Sequence, residues 1–263
     1  LNYIELFNII IFVRMLFNSI EFLLFLPTVL FLYWFVFQSN LKYQNVIILI
    51  SSYFFYGWWD YRFLSLIIFS TVVDYFVGLN IPKQDSKKIK TIFLLCSIII
   101  NLGVLGLFKY YNFFVDSWVK LFSSIGYEIS SIWTLNIILP IGISFYTFQT
   151  MSYTIDIFNK KLEPTKDFIA FASFVSFFPQ LVAGPIERAT NLLPQILKKR
   201  EFEYNQGIQG LRLIIWGMFK KVFIADSLAP TVEDIFVNYQ NFGGGVLWLG
   251  AIYFAIQIYC DFS

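Results

Sequence analysis

Apolar residues occur along this chain in long blocks separated by short polar stretches, and most blocks are too long for buried strands. Read as helices, they cover Ile20 to Phe37, Asn45 to Trp59, Phe63 to Leu79, Thr91 to Phe108, Leu135 to Phe158, Phe168 to Val182, Ile208 to Ile224 and Val246 to Phe262. Several approach or exceed the ~18 consecutive apolar residues that can cross a bilayer as a helix. The pattern predicts an all-α fold, a polytopic transmembrane helix bundle.

One block departs from it. In FVSFFPQLVAGPIER, Phe174 to Arg188, the apolar run is broken from inside by Pro179, Gln180, Gly184 and Pro185 and closed by Glu187 and Arg188. Pro179 removes a helix donor, and Pro185 pushes Gly184 out of the helical region. Lipid cannot satisfy the freed backbone groups, so such a segment survives at membrane depth only inside protein or along a water-filled cavity. This makes it a candidate site; the plainer alternative is a span that ends early in a turn.

Loop charges sharpen the picture. IPKQDSKKIK carries Lys83, Lys87, Lys88 and Lys90 against Asp85, which places it in the cytoplasm by the positive-inside rule. Counting helices from there puts the start of the first span outside, Lys109 to Trp133 outside, and Lys160, Lys161 and Lys166 inside. A full crossing by Phe168 to Val182 would then put Arg188, Lys198, Lys199 and Arg200 outside, against the same rule. A re-entrant dip removes the conflict, and the proline and glycine residues of this block are those a dip requires. Lys220 and Lys221 interrupt the next helix near its end, where they either snorkel or line a cavity.

Composition agrees: 58% of the 263 residues are hydrophobic, 21% aromatic and 14% charged, against ~25% charged in soluble domains. A net charge of +2 is too small for a nucleic-acid partner. Cys96 and Cys260 lie within apolar runs and read as packing residues. No metal site is expected, since the chain has no histidine and its carboxylates are scattered. Lys109, Asn112, Asp116 and Lys120 share one face of an interfacial helix. Gly243 to Gly245 read as a loop.

Met15 opens MLFNSIEFLLFLP and reads as a natural start, with Leu1 to Arg14 as upstream read-through or an extra apolar segment. Residues 15–263 then form the N-terminal part of one transmembrane domain, cut at the C-terminus. Within the apolar blocks, Asp74, Gln149 and Asp156 stand out, because a carboxylate at the centre of a span costs about 2.5 to 3.5 kcal/mol on insertion scales. Asp74 and Asp156 fall near the expected helix ends, where that cost fades. Gln149 suits a cavity, since an amide both donates and accepts. QIYCDFS places Gln257 and Asp261 at the last helix terminus.

Together, MLFNSIEFLLFLP, SSYFFYGWWD, ILPIGISFYTFQTMSYTIDI, FVSFFPQLVAGPIERATNLLPQ, GMFKKVFIAD and QIYCDFS resemble the membrane-bound O-acyltransferase family in its alginate O-acetylation branch. The resemblance implies helices around a funnel through which an acyl group from a cytoplasmic thioester donor, acyl-CoA or an acyl carrier, reaches hydroxyls of an extracytoplasmic polysaccharide. It implies no bound cofactor. It implies as partners a donor or carrier protein, the glycan or a second acetyl-transfer protein, and the bilayer of the plasma or inner membrane. Gln149, Gln180, Gly184, Pro185, Arg188 and Asp261 become substrate-tunnel candidates: Gln149, Gln180 and Arg188 as lining, Gly184 and Pro185 as shapers of the backbone, Asp261 as the start of a polar site. The family's catalytic histidine is expected beyond Ser263, so the chain alone is expected to be inactive. Alternatives from the same features are D-alanyl transfer to teichoic acid by the sister branch, and a polytopic transporter or flippase.

Overall fold

The computed structural model of the protein describes residues 15, 17–126, 140, 142–181, 184 and 187–262. All regular structure among them is helical. The helices are α1 Ile20–Phe31, α2 Leu41–Asp60, α3 Leu64–Asn80, α4 Lys87–Leu105, α5 Tyr111–Ser124, α6 Ile143–Phe158, α7 Phe168–Val175, α8 Phe178–Leu181, α9 Ala189–Ile196, α10 Tyr204–Met218, α11 Asp226–Val237 and α12 Gly244–Phe262. Leu1 to Arg14, and most of the block expected before Ile143, lie outside the described residues.

Three helical runs, Leu41–Asn80, Lys87–Ser124 and Gly244–Phe262, are long and apolar enough to cross a membrane. Their outward faces carry large hydrophobic side chains such as Ile50, Ile99, Trp248 and Tyr259. That surface suits lipid as its solvent, and the molecule is an all-α membrane protein.

Helix ends follow local chemistry. Asn40 caps α2 by accepting from the Lys42 amide at 2.9 Å, which starts that helix four residues before the hydrophobic block does. Asp167 caps α7 through the Ala170 amide at 3.0 Å. Leu32–Val36, Gly106–Tyr110 and Phe219–Ala225 are π-helical turns that extend α1, α4 and α10.

The chain divides into two compact units, one within Val29–Arg200 and the other within Leu16–Thr28 and Glu201–Ser263. The first has an aromatic core that includes Tyr56, Tyr146, Tyr153, Phe171 and Phe174. Close approach is set by small residues: a Cβ on Gly78 would stand 2.6 Å from Cε1 of Tyr153, so α3 and α6 touch only because this side chain is a hydrogen. The Tyr153 ring stacks obliquely on Phe171 at 4.4 Å and fixes α7 against the pair.

A polar cluster lies inside this unit. Asp74 of α3 is fully buried and accepts from Ser97 Oγ at 2.5 Å and Asn101 Nδ2 at 2.8 Å, both on α4. Ser70 Oγ donates to Asn101 Oδ1 at 2.5 Å, Thr150 Oγ1 reaches the same oxygen at 3.4 Å, and Thr154 Oγ1 lies 3.2 Å from Ser97 Oγ. Three helices are thus joined by hydrogen bonds as well as by packing. The sequence placed Asp74 near a helix end, where burial costs little; the structure instead buries it completely and meets the cost with partners.

In the second unit α11 and α12 pack through Gly250, where a Cβ would lie 2.7 Å from Ile235 Cγ2, and through an edge-to-face Phe236–Phe254 pair at 5.7 Å. Helix α11 has no counterpart among the expected helices. The triglycine is only partly a loop, because Gly244 and Gly245 begin α12.

Candidate functional site

The break in Phe168 to Val182 is real, and its backbone is satisfied by side chains from two other helices. Pro179 has no N–H to offer the Val175 carbonyl, so α7 stops at Val175, and Ser176 Oγ turns back to Ala172 O at 2.7 Å. The Phe178 amide, which an unbroken helix would point at Phe174 O, instead donates to Ser52 Oγ of α2 at 3.2 Å. The Phe174 carbonyl accepts from Gln149 Nε2 of α6 at 2.7 Å. One buried serine and one buried amide therefore replace the missing helical bond. With only eight residues, about 12 Å long at 1.5 Å per residue, α7 is far too short to cross a bilayer.

The path of the dip follows from paired contacts. Ser173 Oγ donates to Asn45 O at 2.9 Å, while Phe178 meets Ser52, so α7 and α8 run in the same direction as α2. Tyr75 Oη near the end of α3 donates to Lys166 O at 2.7 Å, and Gln44 near the start of α2 holds the backbone of Arg200 at 2.8 Å. The lysine-bearing turn after α3, the Lys160–Lys166 turn and Arg200 gather at one end of this unit. The basic stretches that the charge count assigned to one side of the membrane thus lie at the same end of this unit.

The expected site residues fall as follows. Gln149 is 1% exposed and spends its amide N–H on the clamp just described, so it holds the break in place and presents no open face there. Gln180, on α8, is buried, and its Nε2 has no partner among the described residues. Gly184 closes onto the same residue: its amide donates to Gln180 O at 3.0 Å, and a Cβ would stand 2.5 Å from Gln180 Cα. Pro185 lies outside the described residues. Arg188 is exposed at the N-terminal cap of α9, where its carbonyl accepts from the amides of Asn191 and Leu192. The structure joins Gln149, Gln180 and Gly184 to one folded-back segment, with Arg188 at its exit.

Two features of this segment escaped sequence reasoning. Tyr146 is fully buried, and its hydroxyl is unpartnered among the described residues. It precedes Gln149 by three positions, hence shares its helix face, and that spacing was the available signal. Gly142 adopts φ +74° just before α6, and a Cβ there would lie 2.6 Å from Leu181 O, so glycine is needed on both conformational and steric grounds.

Asp261 belongs to the second unit. Its Oδ1 accepts from Lys221 Nζ at 2.7 Å, and the same ammonium contacts Asp226 Oδ1 at 2.9 Å. Lys221 and Asp226 are five residues apart across a π-helical turn, whose i to i+5 period brings them together. Asn18 Nδ2 reaches the other oxygen of Asp226 at 3.4 Å. Lys220 is buried between the rings of Trp216 and Tyr259, at 6.0 and 5.9 Å. Neither lysine is a simple snorkelling residue. Lys221→Met should leave two carboxylates facing each other without their shared cation, at a cost between the ~0–1 kcal/mol of an exposed pair and the ~3–5 kcal/mol of a buried one. Thermal unfolding in detergent measures this, and adding Asp261→Asn should recover part of the loss; an unchanged midpoint for Lys221→Met would show the cluster to be idle.

No family model matches the chain, and no solved structure matches it. Among curated proteins, it is 41% identical over 251 residues to the probable alginate O-acetylase AlgI of Pseudomonas syringae pv. tomato and to that of Pseudomonas aeruginosa, covering 95% of this chain and 47% of each relative. It is 31% identical over 278 residues to the peptidoglycan O-acetyltransferase of Helicobacter pylori, covering 95% of this chain and 52% of that protein. The chain spans about half the length of the curated relatives it matches. Over the part that it spans, the chain is similar to alginate O-acetylases at 41% identity and to a peptidoglycan O-acetyltransferase at 31%.

Proposed function

We propose that the chain is part of a multi-pass O-acyltransferase of the plasma or inner membrane, which moves an acetyl group from a cytoplasmic thioester to hydroxyls of an extracytoplasmic polysaccharide. The single observation that carries this is the 41% identity to alginate O-acetylases along nearly the whole chain. The greater similarity to these than to the peptidoglycan enzyme favours a uronic-acid polysaccharide as acceptor. A coenzyme A thioester or acyl carrier protein is the donor in this reading, and a second acetyl-transfer protein is the natural recipient if the glycan is not reached directly.

The chemistry divides the labour. The acceptor oxygen attacks the thioester carbonyl, its proton passes to a base, and the C–S bond breaks with the electron pair leaving on the thiolate. No histidine occurs in these 263 residues, so in this reading the base stands outside this chain. This chain supplies the scaffold: a dip whose backbone is held by Gln149 and Ser52, with the Tyr146 hydroxyl and the Gln180 amide as donors that retain hydrogen-bonding capacity near the fold.

Purified chain, incubated with acetyl-coenzyme A and de-acetylated polyuronate, should show no turnover above a no-protein control. Expression of the full-length protein in a strain deleted for it should restore acetyl groups to the exported polysaccharide. An acetyl content that is the same with and without the gene would overturn the acyltransferase reading.

A further inference from the structure

Gln44 and Asn45 are both fully buried at the start of α2, although an amide is costly to bury without a purpose. Gln44 spends both ends of its amide on one residue: Nε2 donates to Arg200 O at 2.8 Å, and Oε1 accepts from Arg200 N at 3.3 Å. This two-point clamp fixes the Arg200 backbone across 156 positions of sequence. The guanidinium then folds back, donating from one terminal nitrogen to Asn45 Oδ1 at 2.5 Å and standing over the Tyr33 ring at 5.4 Å.

Everything that holds Arg200 is neutral. Exposed Arg62 pairs with Asp60 and part-buried Lys221 with two aspartates, yet no carboxylate among the described residues lies within ion-pair distance of Arg200. Donors are in surplus as well. A guanidinium can only donate, so the Asn45 atom facing it is the oxygen, which leaves Nδ2 as a buried donor without a partner; Arg200 Nε is another. Burial pulls the Arg200 pKa down from its ordinary value, the direction expected of a cation without a counter-charge.

We propose that Arg200, fixed by Gln44, Asn45 and Tyr33, forms a binding site for a phosphate group. A guanidinium held in a fixed plane matches phosphate oxygens two at a time. In sequence, exposed Lys42, Lys198 and Lys199 lie within three residues of Gln44 or Arg200, against exposed Glu201 and Glu203, a balance that stays positive and favours a phosphate over a lone carboxylate. The phosphate can belong to a lipid headgroup or to a soluble donor. The site stands on this clamp alone and does not depend on acyl transfer.

The test uses the unaltered 263-residue chain in neutral detergent, treated with phenylglyoxal, with labelling at Arg200 read by peptide mass and Arg62 and Arg212 as internal references. The probes are phosphatidylglycerol in mixed micelles, phosphatidylcholine as the uncharged comparison, and coenzyme A in solution. At ten times its dissociation constant a bound ligand leaves about one-eleventh of sites open, so Arg200 labelling should fall about tenfold while the references do not. Protection by phosphatidylglycerol alone identifies a headgroup, protection by coenzyme A alone a soluble phosphate, and either supports the site. Absence of protection by both, or equal protection of Arg62, overturns it. Arg200→Lys keeps the charge but loses the fork and should weaken binding by about tenfold; undiminished binding would mean a diffuse basic surface and would also overturn the proposal. If that variant fails to fold, the protection measurement on the unaltered chain decides alone.

Discussion

Gly184→Leu in the full-length protein is expected to abolish polysaccharide acetylation, whereas Gly103→Ala should leave it intact. A Cβ at Gly184 would meet Gln180 Cα at 2.5 Å and Gln180 Cβ at 2.7 Å, closer than carbon atoms approach. The atom in the way is backbone, so no side-chain rotation relieves the clash. The turn that carries Gln180 has to open, and the 3.0 Å bond from the Gly184 amide to Gln180 O breaks with it. Overpacking of this kind costs about 1–3 kcal/mol in stability, but the larger effect is on geometry: a displacement of about 1 Å in a positioning group costs on the order of a hundredfold in rate. Gly103 lies within α4 with nothing inside 4 Å of a built Cβ, so alanine there gains about 0.5–1 kcal/mol of helix stability. Acetyl content of exported polysaccharide, compared at matched protein level in the membrane, separates the two. Arg188→Ala should fall between them, since its exposed side chain leaves the dip itself untouched. Equal activity for Gly184→Leu and Gly103→Ala would reduce the broken segment to a turn.

What the sequence showed of this segment was the cause of the break, and what it hid was the remedy. Pro179 marked where the helix ends, because a proline is a local signal that needs no tertiary context. Ser52 and Gln149, which satisfy the freed groups, stand 126 and 25 positions from their partners, and only the packing of α2 and α6 brings them there. The same limit explains Asp74, whose position along α3 was legible but whose partners depend on the register of three helices. Helix α11 was overlooked because Asp226, Pro230, Glu233 and Asp234 lower its hydropathy below that of any span. The shared Lys221 contact was hidden in another way, since it requires a π-helical turn and hydrophobic periodicity assumes 3.6 residues per turn. Starts of helices were missed by about one turn where a cap or lysines extend them into polar sequence, as Asn40 does for α2 and Lys87 to Lys90 do for α4.

The buried carboxyl of Asp74 sets the second large expectation: Asp74→Leu should destabilise the first unit far more than Asp74→Asn. Leucine leaves Ser97 Oγ and Asn101 Nδ2 without the acceptors they now reach at 2.5 and 2.8 Å, in a place where water cannot substitute. Hydrogen bonds between membrane helices average only about 0.6 kcal/mol each, but stranding two donors in the interior adds about 1–3 kcal/mol apiece, so the total loss is about 3 kcal/mol or more. Asparagine escapes most of this. Its oxygen can face Asn101 Nδ2, and its amide can face Ser97, whose hydroxyl then turns to donate to Thr154 Oγ1, already 3.2 Å away. The rearrangement keeps every member of the cluster partnered. Urea or thermal unfolding of the two variants in the same detergent measures the difference, with helix content checked beforehand by circular dichroism. If leucine were tolerated as well as asparagine, the Asp74 cluster would not hold α3, α4 and α6 together, and packing around Tyr153 and Gly78 would have to do so alone.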